Sequence, residues 1–211
     1  GEATLVILNA FSLTLTGPAL ALVIATAASA GLPRASRATA EAVDRFNRLP
    51  VPTLALVQGF CVGGGTGLLA ASDVVIAADS AKFAISEVRW GLTAAIIIPQ
   101  LNDAISMRQV RRYALTSERF GAEEARRIGL VHEIVPAAEL DAAGDKMVTQ
   151  ILENGPIAMA ETKAFALRYA FGDVSAIGFD ELVESHAKKR QSTEAREGLA
   201  SFAEKRAAKW S

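Results

Sequence analysis

The chain has 211 residues, of which 22 are Lys or Arg and 23 are Asp or Glu, so its formal net charge is −1. With 51% hydrophobic and 21% charged residues, the composition excludes intrinsic disorder, and the balanced charge offers no footprint for nucleic acid or an anionic membrane. The single cysteine, Cys61, excludes an intramolecular disulfide framework and a cysteine-based zinc cluster. We therefore expect a soluble, cytoplasmic protein without a bound metal, whose reactive groups are mostly carboxylates and backbone amides.

The N-terminal segment is predicted to form two strands, the first over Gly1–Leu8. Ala19–Ala30 is a run of small and apolar residues that ends in an A-x-A-like triplet, as secretory signals do. No Lys or Arg precedes this run, and it is too short to span a bilayer as a helix. Its closure by Gly31-Leu32-Pro33 favours a strand over Ala19–Thr26 that is buried on both faces.

The middle of the chain alternates between helix and strand patterns. Ala38–Leu49 has the apolar spacing of an amphipathic helix, and Pro50 ends it. Apolar runs predict strands at Thr53–Val57, Val74–Ala78 and Lys82–Ile85, with a short helix from the run Gly63-Gly64-Gly65 to Ala71.

Helical periodicity dominates from Asn102 onward. The pattern predicts helices at Asp103–Leu115, Ala122–Ile128, Glu139–Glu153, Ile157–Phe171, Ile177–Arg190 and Thr193–Lys209, with one strand at Val131–Val135. Strands are thus concentrated early and helices late. We expect an α/β core over residues 1–138 and a C-terminal helical region over residues 139–211.

The glycine run is compatible with more than one role. Gly65–Ala70 fits the pattern G-x-G-x-x-A, which would bind a dinucleotide with Asp79 on the ribose. Asp79 follows Gly65 by fewer than the roughly 20 residues of that motif, which argues against this role. Alternatively, free N–H groups at the start of the helix stabilise an oxyanion or enolate, or the glycines merely allow close packing of helix and strand. Composition alone leaves these last two roles open.

The residues around this run carry a family resemblance. The segment VPTLALVQGFCVGGGTGLLAASDVVIAADSAKFAISEVRWGL (Val51–Leu92) resembles the signature region of the crotonase, or enoyl-CoA hydratase/isomerase, superfamily. The similarity continues through Leu115–Pro136 and Thr193–Arg206, so it covers essentially residues 51–211. Upstream the similarity is patchy, and chain is missing relative to the family near Gly17-Pro18 and Leu32-Pro33. We interpret this as omitted residues rather than a deleted helix, because a deletion would uncover the core.

The resemblance implies a crotonase-like spiral of ββα units, with a C-terminal helical region that packs subunits into a homo-oligomer, a trimer or a hexamer. It also implies an acyl-CoA substrate, with coenzyme A as part of that substrate and no separate cofactor. Two backbone N–H groups hold the thioester oxygen in such enzymes, and here they would belong to Leu32 and Gly64. Ala30, Gly63 and Gly67 would line the same site.

The family's two-carboxylate hydratases place one glutamate shortly after the glycine triplet and a second about twenty residues on. Gly67 occupies the first position here, and Glu87 occupies the second. The resemblance therefore implies Glu87 as the sole acid/base, whereas without it a solvated loop carboxylate would be the ordinary interpretation. Arg89 is a candidate for a distal substrate carboxylate, and Lys205 for the coenzyme A phosphates, although both also suit a solvated surface.

The expected reaction is addition of water to a 2-enoyl-CoA. The stretch Arg89–Pro99 is aliphatic where many relatives have a second glycine-rich turn. This pattern is similar to members that act on branched glutaconyl-CoA substrates, although an apolar lining also suits a plain fatty-acyl chain. An enoyl-CoA isomerase is the alternative, because a 1,3-proton shift needs only one carboxylate. A catalytically degenerate binding or assembly subunit is the alternative from another class.

Overall fold

The computed structural model describes residues 6–10, 32–169, 186, 188–189 and 191–210. The strands are β1 (Val6–Ala10), β2 (Thr53–Val57), β3 (Phe60–Val62), β4 (Val74–Ala78), β5 (Lys82–Ala84), β6 (Phe120–Gly121) and β7 (Glu133–Val135). The helices are α1 (Leu32–Asn47), α2 (Gly64–Ala70), α3 (Ile98–Thr116), α4 (Ala122–Ile128), α5 (Leu140–Leu152), α6 (Pro156–Tyr169) and α7 (Thr193–Glu204). Short 3₁₀ helices cover Glu87–Trp90, Ala95–Ile97 and Ala137–Glu139.

The described strands form two sheets. The larger sheet has the order β1-β2-β4-β7, in which β2 pairs with β4 and β4 with β7 in parallel. The smaller sheet has the order β3-β5-β6, with β3 and β5 parallel and β5 and β6 antiparallel. Every residue of β2 is buried, which explains why its sequence is a continuous apolar run rather than an alternating one.

The chain divides into two compact units. One contains the described residues of Ile7–Leu49 together with Thr53–Gly144, and it holds the hydrophobic core in which Phe83, Leu101 and Tyr113 are almost fully buried. The other contains Val6, Pro50–Pro52 and the described residues from Asp145 onward, and the described elements of that last part are helices. The sequence-based boundary between residues 138 and 139 stays a prediction.

The helical unit is held by a polar junction at the start of α6. The Glu194 carboxylate accepts hydrogen bonds from the backbone N–H groups of Ile157 and Ala158, each over 2.8 Å. Lys189 Nζ lies 2.8 Å from the same carboxylate. The Trp210 indole N–H donates to the Glu153 carbonyl over 2.9 Å. These contacts satisfy helix-end groups that would otherwise lack partners.

Several predicted elements agree with the structure in type and bounds, and others are corrected. β2, β4 and α4 have the predicted bounds. Helix α1 begins at Leu32 rather than Ala38, because the first turn of a helix tolerates Pro33. Helix α7 ends at Glu204 rather than Lys209, because Lys205 adopts a left-handed conformation with φ of 53°.

Two other predicted elements fall wholly or mostly on residues that the structure does not describe. The predicted strand Ala19–Thr26 lies outside the described residues, and so does most of the predicted helix Ile177–Arg190. Among the described residues, no helix is long and apolar enough to cross a membrane.

Candidate active site

Two parallel strands bring the glycine turn and Glu87 to the same edge of the smaller sheet. In the pairing of β3 with β5, Val62 lies opposite Ala84. Because both strands run in the same direction, the residues that follow Val62 and Ala84 leave the sheet side by side. The N–H of Gly63 extends this pairing and donates to the Ala84 carbonyl over 2.9 Å. The topology therefore places the glycine turn beside the loop that carries Glu87.

The glycine turn presents an open backbone donor. Gly63 has φ of 56° and ψ of −131°, a conformation that side-chain-bearing residues rarely adopt, and α2 begins at the next residue. Gly64 is exposed, and a Cβ added there would meet nothing within 4 Å. The first residue of a helix has no acceptor within the helix, and the Gly64 N–H has none among the described residues. This N–H is therefore free to bind an oxygen of a ligand.

The Glu87 carboxyl group lies directly against this turn. A Cβ built on Gly63 would be 3.3 Å from Glu87 Oε1. Glu87 is half-buried, and its Oε2 is buried with no hydrogen-bond partner among the described residues. Burial raises the pKa of this carboxyl above the ordinary glutamate range, and the backbone N–H groups of Glu87 and Ser86 oppose part of the rise. A raised pKa and a carboxyl oxygen without a hydrogen-bond partner, beside a free backbone N–H, are properties expected of a general acid/base.

At Gly67, the first carboxylate position, the space for a side chain is filled by another residue. A Cβ added at Gly67 would lie 2.2 Å from Cγ2 and 2.5 Å from Cβ of Ile97, and Ile97 is 1% exposed. The absence of a side chain at Gly67 is therefore matched by an isoleucine packed onto its backbone. This partner is far away in sequence, and no local pattern around Ile97 indicates it.

We expect Gly67→Ala to destabilise the protein, because the added methyl group overlaps Ile97. Overpacking of this kind costs about 1–3 kcal/mol, which corresponds to a Tm lower by roughly 2–12 °C for a chain of this size. Thermal unfolding followed by circular dichroism measures the change. Gly64→Ala is the matched control on the same helix, because its methyl group enters open space and alanine favours helix. An equal Tm for the two variants would contradict this packing.

The predicted second donor, Leu32, lies at the first residue of α1. Helix α1 contacts both α2 and the 3₁₀ turn Ala95–Ile97, so Leu32 belongs to a helix that packs against the glycine helix α2. Ala30, predicted to line the same site, lies outside the described residues. The role of Leu32 as an oxyanion donor stays a prediction.

The two predicted substrate-binding cations lie in different parts of the chain. The Arg89 guanidinium donates a hydrogen bond from Nη2 to the carbonyl of Ser117, the residue that follows α3, over 3.2 Å. This contact gives Arg89 a structural partner that the sequence did not indicate. Lys205 is exposed and ends α7 in the helical unit, whereas Glu87 belongs to the other unit. The binding roles of Arg89 and Lys205 stay predictions.

Other groups near the turn are less suited to chemistry. Cys61 is 4% exposed, and burial raises the pKa of its thiol to about 12, so the reactive thiolate is disfavoured. The residues Gly65-Thr66-Gly67 of the dinucleotide-like pattern lie inside α2, not in the turn that precedes it. In the described part of the chain, no three His, Cys, Asp or Glu side chains gather as a candidate metal site.

Comparison with known proteins identifies the family. Residues 29–211 match the family model described as enoyl-CoA hydratase/isomerase. An enoyl-CoA hydratase of known structure from Shewanella pealeana superimposes with a TM-score of 0.89 at 34% identity, over 98% of this chain and 78% of that one. The chain therefore belongs to the enoyl-CoA hydratase/isomerase family and has the α/β crotonase fold, as the sequence resemblance indicated.

Curated relatives differ in the reaction they are named for. A hydroxycinnamoyl-CoA hydratase-lyase from Pseudomonas fluorescens is 36% identical over 113 residues, which are 53% of this chain and 41% of that protein. A mitochondrial Δ(3,5)-Δ(2,4)-dienoyl-CoA isomerase from Dictyostelium discoideum is 29% identical over 166 residues, 78% of this chain and 56% of that protein. The chain thus spans between two fifths and three fifths of the length of these relatives. Their names agree on a CoA thioester and disagree on the reaction.

Proposed function

We propose that the chain acts on an acyl-CoA thioester through an enolate, with the Gly64 N–H as an oxyanion donor and Glu87 as the acid/base. The observation that carries this proposal is the position of the Glu87 carboxyl against the turn that holds the free Gly64 N–H. A proton at the carbon next to a thioester becomes removable when a fixed donor stabilises the negative charge that develops on the thioester oxygen. The Glu87 carboxyl beside this turn is suited to take that proton.

The reaction that we propose first is hydration of a 2-enoyl-CoA. The structural similarity to the Shewanella hydratase over 98% of the chain supports this choice. In this reaction the Glu87 carboxylate takes a proton from water while the water oxygen attacks C3. The resulting Glu87 carboxylic acid then delivers a proton to C2. The exposed apolar side chains of Trp90, Leu92 and Ile96 follow Glu87 closely in the chain and favour an apolar acyl group, branched or straight.

Isomerisation of a 3-enoyl-CoA to a 2-enoyl-CoA is the second candidate. The packing of Ile97 on Gly67 favours it, because no carboxylate can stand at that position beside the turn. A 1,3-proton shift needs one group that removes a proton at C2 and returns it at C4. Glu87 alone is sufficient for that task.

Substrates offered in ¹⁸O-water separate the two reactions. We expect crotonyl-CoA or a methyl-branched 2-enoyl-CoA to give a 3-hydroxyacyl-CoA that carries the label, measured by mass spectrometry. An unlabelled 2-enoyl-CoA formed from a 3-enoyl-CoA, without any labelled hydroxyacyl product, would assign the isomerase instead. If none of these substrates turned over, the chain would be a degenerate binding or assembly subunit.

We also propose that the chain forms a homo-oligomer, either a trimer or a hexamer made of two trimers. The helical unit leaves large apolar side chains exposed, among them Phe202 at 84%, Leu199 at 58% and Ile157 at 55%. Exposed apolar groups of this size favour a protein interface. Light scattering at micromolar concentration is expected to give the mass of three or six chains, and the 22.2 kDa of one chain would contradict this.

A further inference from the structure

The side chain of Ile97 occupies the volume that any side chain at position 67 would need. The distance of 2.2 Å between a Cβ at Gly67 and Ile97 Cγ2 is far below van der Waals contact. A third atom, Ile97 Cδ1, would lie 3.4 Å from the same Cβ. Both residues are buried, so neither can move aside into solvent. Ile97 and Gly67 are therefore a matched pair of large and small residues.

Helix geometry directs a side chain at position 67 toward the glycine turn. Residues three apart lie on the same face of a helix, and side chains lean toward the helix N-terminus. Gly67 is one turn after Gly64, the first residue of α2, so a side chain at position 67 would lean toward this turn. Glu87 Oε1 lies against Gly63 in the same turn. A polar side chain at position 67 would therefore approach the Glu87 carboxyl.

We propose that Ile97 is a specificity-determining residue, because its side chain covers Gly67 with hydrocarbon and keeps a second proton-transferring group away from Glu87. This inference rests on the proposed function in one respect, namely that Glu87 transfers protons. The hydrocarbon offers no hydrogen bond to water on that side of the turn. Compared with a site that holds a carboxylate at position 67, this arrangement lowers the rate of hydration relative to that of a 1,3-proton shift, because a second acid/base would assist the addition of water.

Three variants test the role of Ile97. Ile97→Ala opens the volume, Gly67→Glu/Ile97→Ala places a second carboxylate in it, and Gly67→Gln/Ile97→Ala is the matched control of the same size without the charge. Circular dichroism and thermal melting establish that each variant is folded. Ile97→Ala keeps the native Gly67 and serves if both double variants fail to fold. In that variant, water in the emptied volume is expected to lower the pKa of Glu87 relative to the wild type.

The first measurement does not depend on activity. The pKa of Glu87 is measured by ¹³C NMR titration of its carboxyl carbon, whose signal is assigned with Glu87→Gln. We expect this pKa to be about one unit or more higher in the Glu double variant than in the Gln control, because two carboxylates that share a site oppose each other's ionisation. An equal Glu87 titration in the two folded variants would overturn the placement of position 67 beside Glu87. If only Ile97→Ala folds, an unchanged Glu87 titration in it would overturn the proposal.

The second measurement is the ratio of hydration to isomerisation on matched 2-enoyl and 3-enoyl thioesters. We expect the Glu double variant to raise this ratio at least about tenfold over the Gln control, since a positioned acid/base contributes 10²–10⁴-fold in rate. A shifted titration with an unchanged ratio would overturn the role of Ile97 in specificity. Absence of turnover in the wild type would contradict the proposed function instead. The NMR titration would still decide whether Ile97 fills a volume that lies beside Glu87.

Discussion

Replacement of Glu87 by glutamine is expected to lower turnover by about 10²–10⁴-fold, the range typical for loss of a positioned acid/base. Glutamine keeps the size of the side chain and its hydrogen-bonding capacity but removes the proton-accepting group. The effect should appear in kcat with the substrate that the wild type uses best, while KM changes little. Steady-state kinetics provides the test, measured by the loss of conjugated thioester absorbance on hydration or by its gain on isomerisation.

A matched control for Glu87→Gln is Glu123→Gln. Glu123 is exposed and pairs with Arg126 on α4 over 3.0 Å, outside the turn, so its replacement should leave turnover unchanged. Full activity of Glu87→Gln on the wild-type substrate would refute the proposed mechanism even though the family assignment stands.

The raised pKa of Glu87 also predicts the sign of two pH effects. Because the base acts in its ionised form, wild-type activity should rise with pH through the Glu87 pKa, above the ordinary glutamate range, and Glu87→Gln should lack this rise. Because the folded-state pKa exceeds the unfolded one, the folded protein binds more protons within that window, and wild-type stability falls as pH increases through it. We therefore expect Glu87→Gln to melt at the same or a higher temperature than the wild type at neutral pH.

Replacement of Gly64 by proline is expected to lower turnover by about 10²-fold or more, the loss seen when one oxyanion donor is removed. Proline has no backbone N–H, so the substitution deletes the proposed donor itself. The first position of a helix tolerates proline, and Gly64 is the first residue of α2. The fold should therefore persist, which circular dichroism verifies.

The control for the proline variant is Gly64→Ala, which keeps the N–H and adds a methyl group in open space. We expect it to retain the fold and to lose far less activity than Gly64→Pro. A folded proline variant with wild-type turnover would remove Gly64 from the mechanism. Comparable losses in both variants would instead assign the effect to crowding at the turn rather than to the missing donor.

The sequence alone determined those elements whose signal is local. The strands Thr53–Val57 and Val74–Ala78 are short apolar runs bounded by turn residues, and a buried parallel strand needs nothing more to be recognised. Helix Ala122–Ile128 carries acidic residues in its first turn and Gly129 after its end, so both bounds were predictable. The family and the candidacy of Gly64 and Glu87 also followed from sequence, because they rest on a motif of fixed spacing.

Only the tertiary structure decided how these residues meet. The pairing of β3 with β5, two strands of three residues each, brings the Gly63 turn against Glu87, and strands so short leave a weak sequence pattern. The contact of Arg89 with the Ser117 carbonyl and the packing of Ile97 on Gly67 join residues from separate segments. Burial of the Glu87 carboxyl, and with it the raised pKa, depends on the same long-range packing. Spacing along the chain determines local elements, whereas desolvation and close contact are properties of atoms brought together from distant positions.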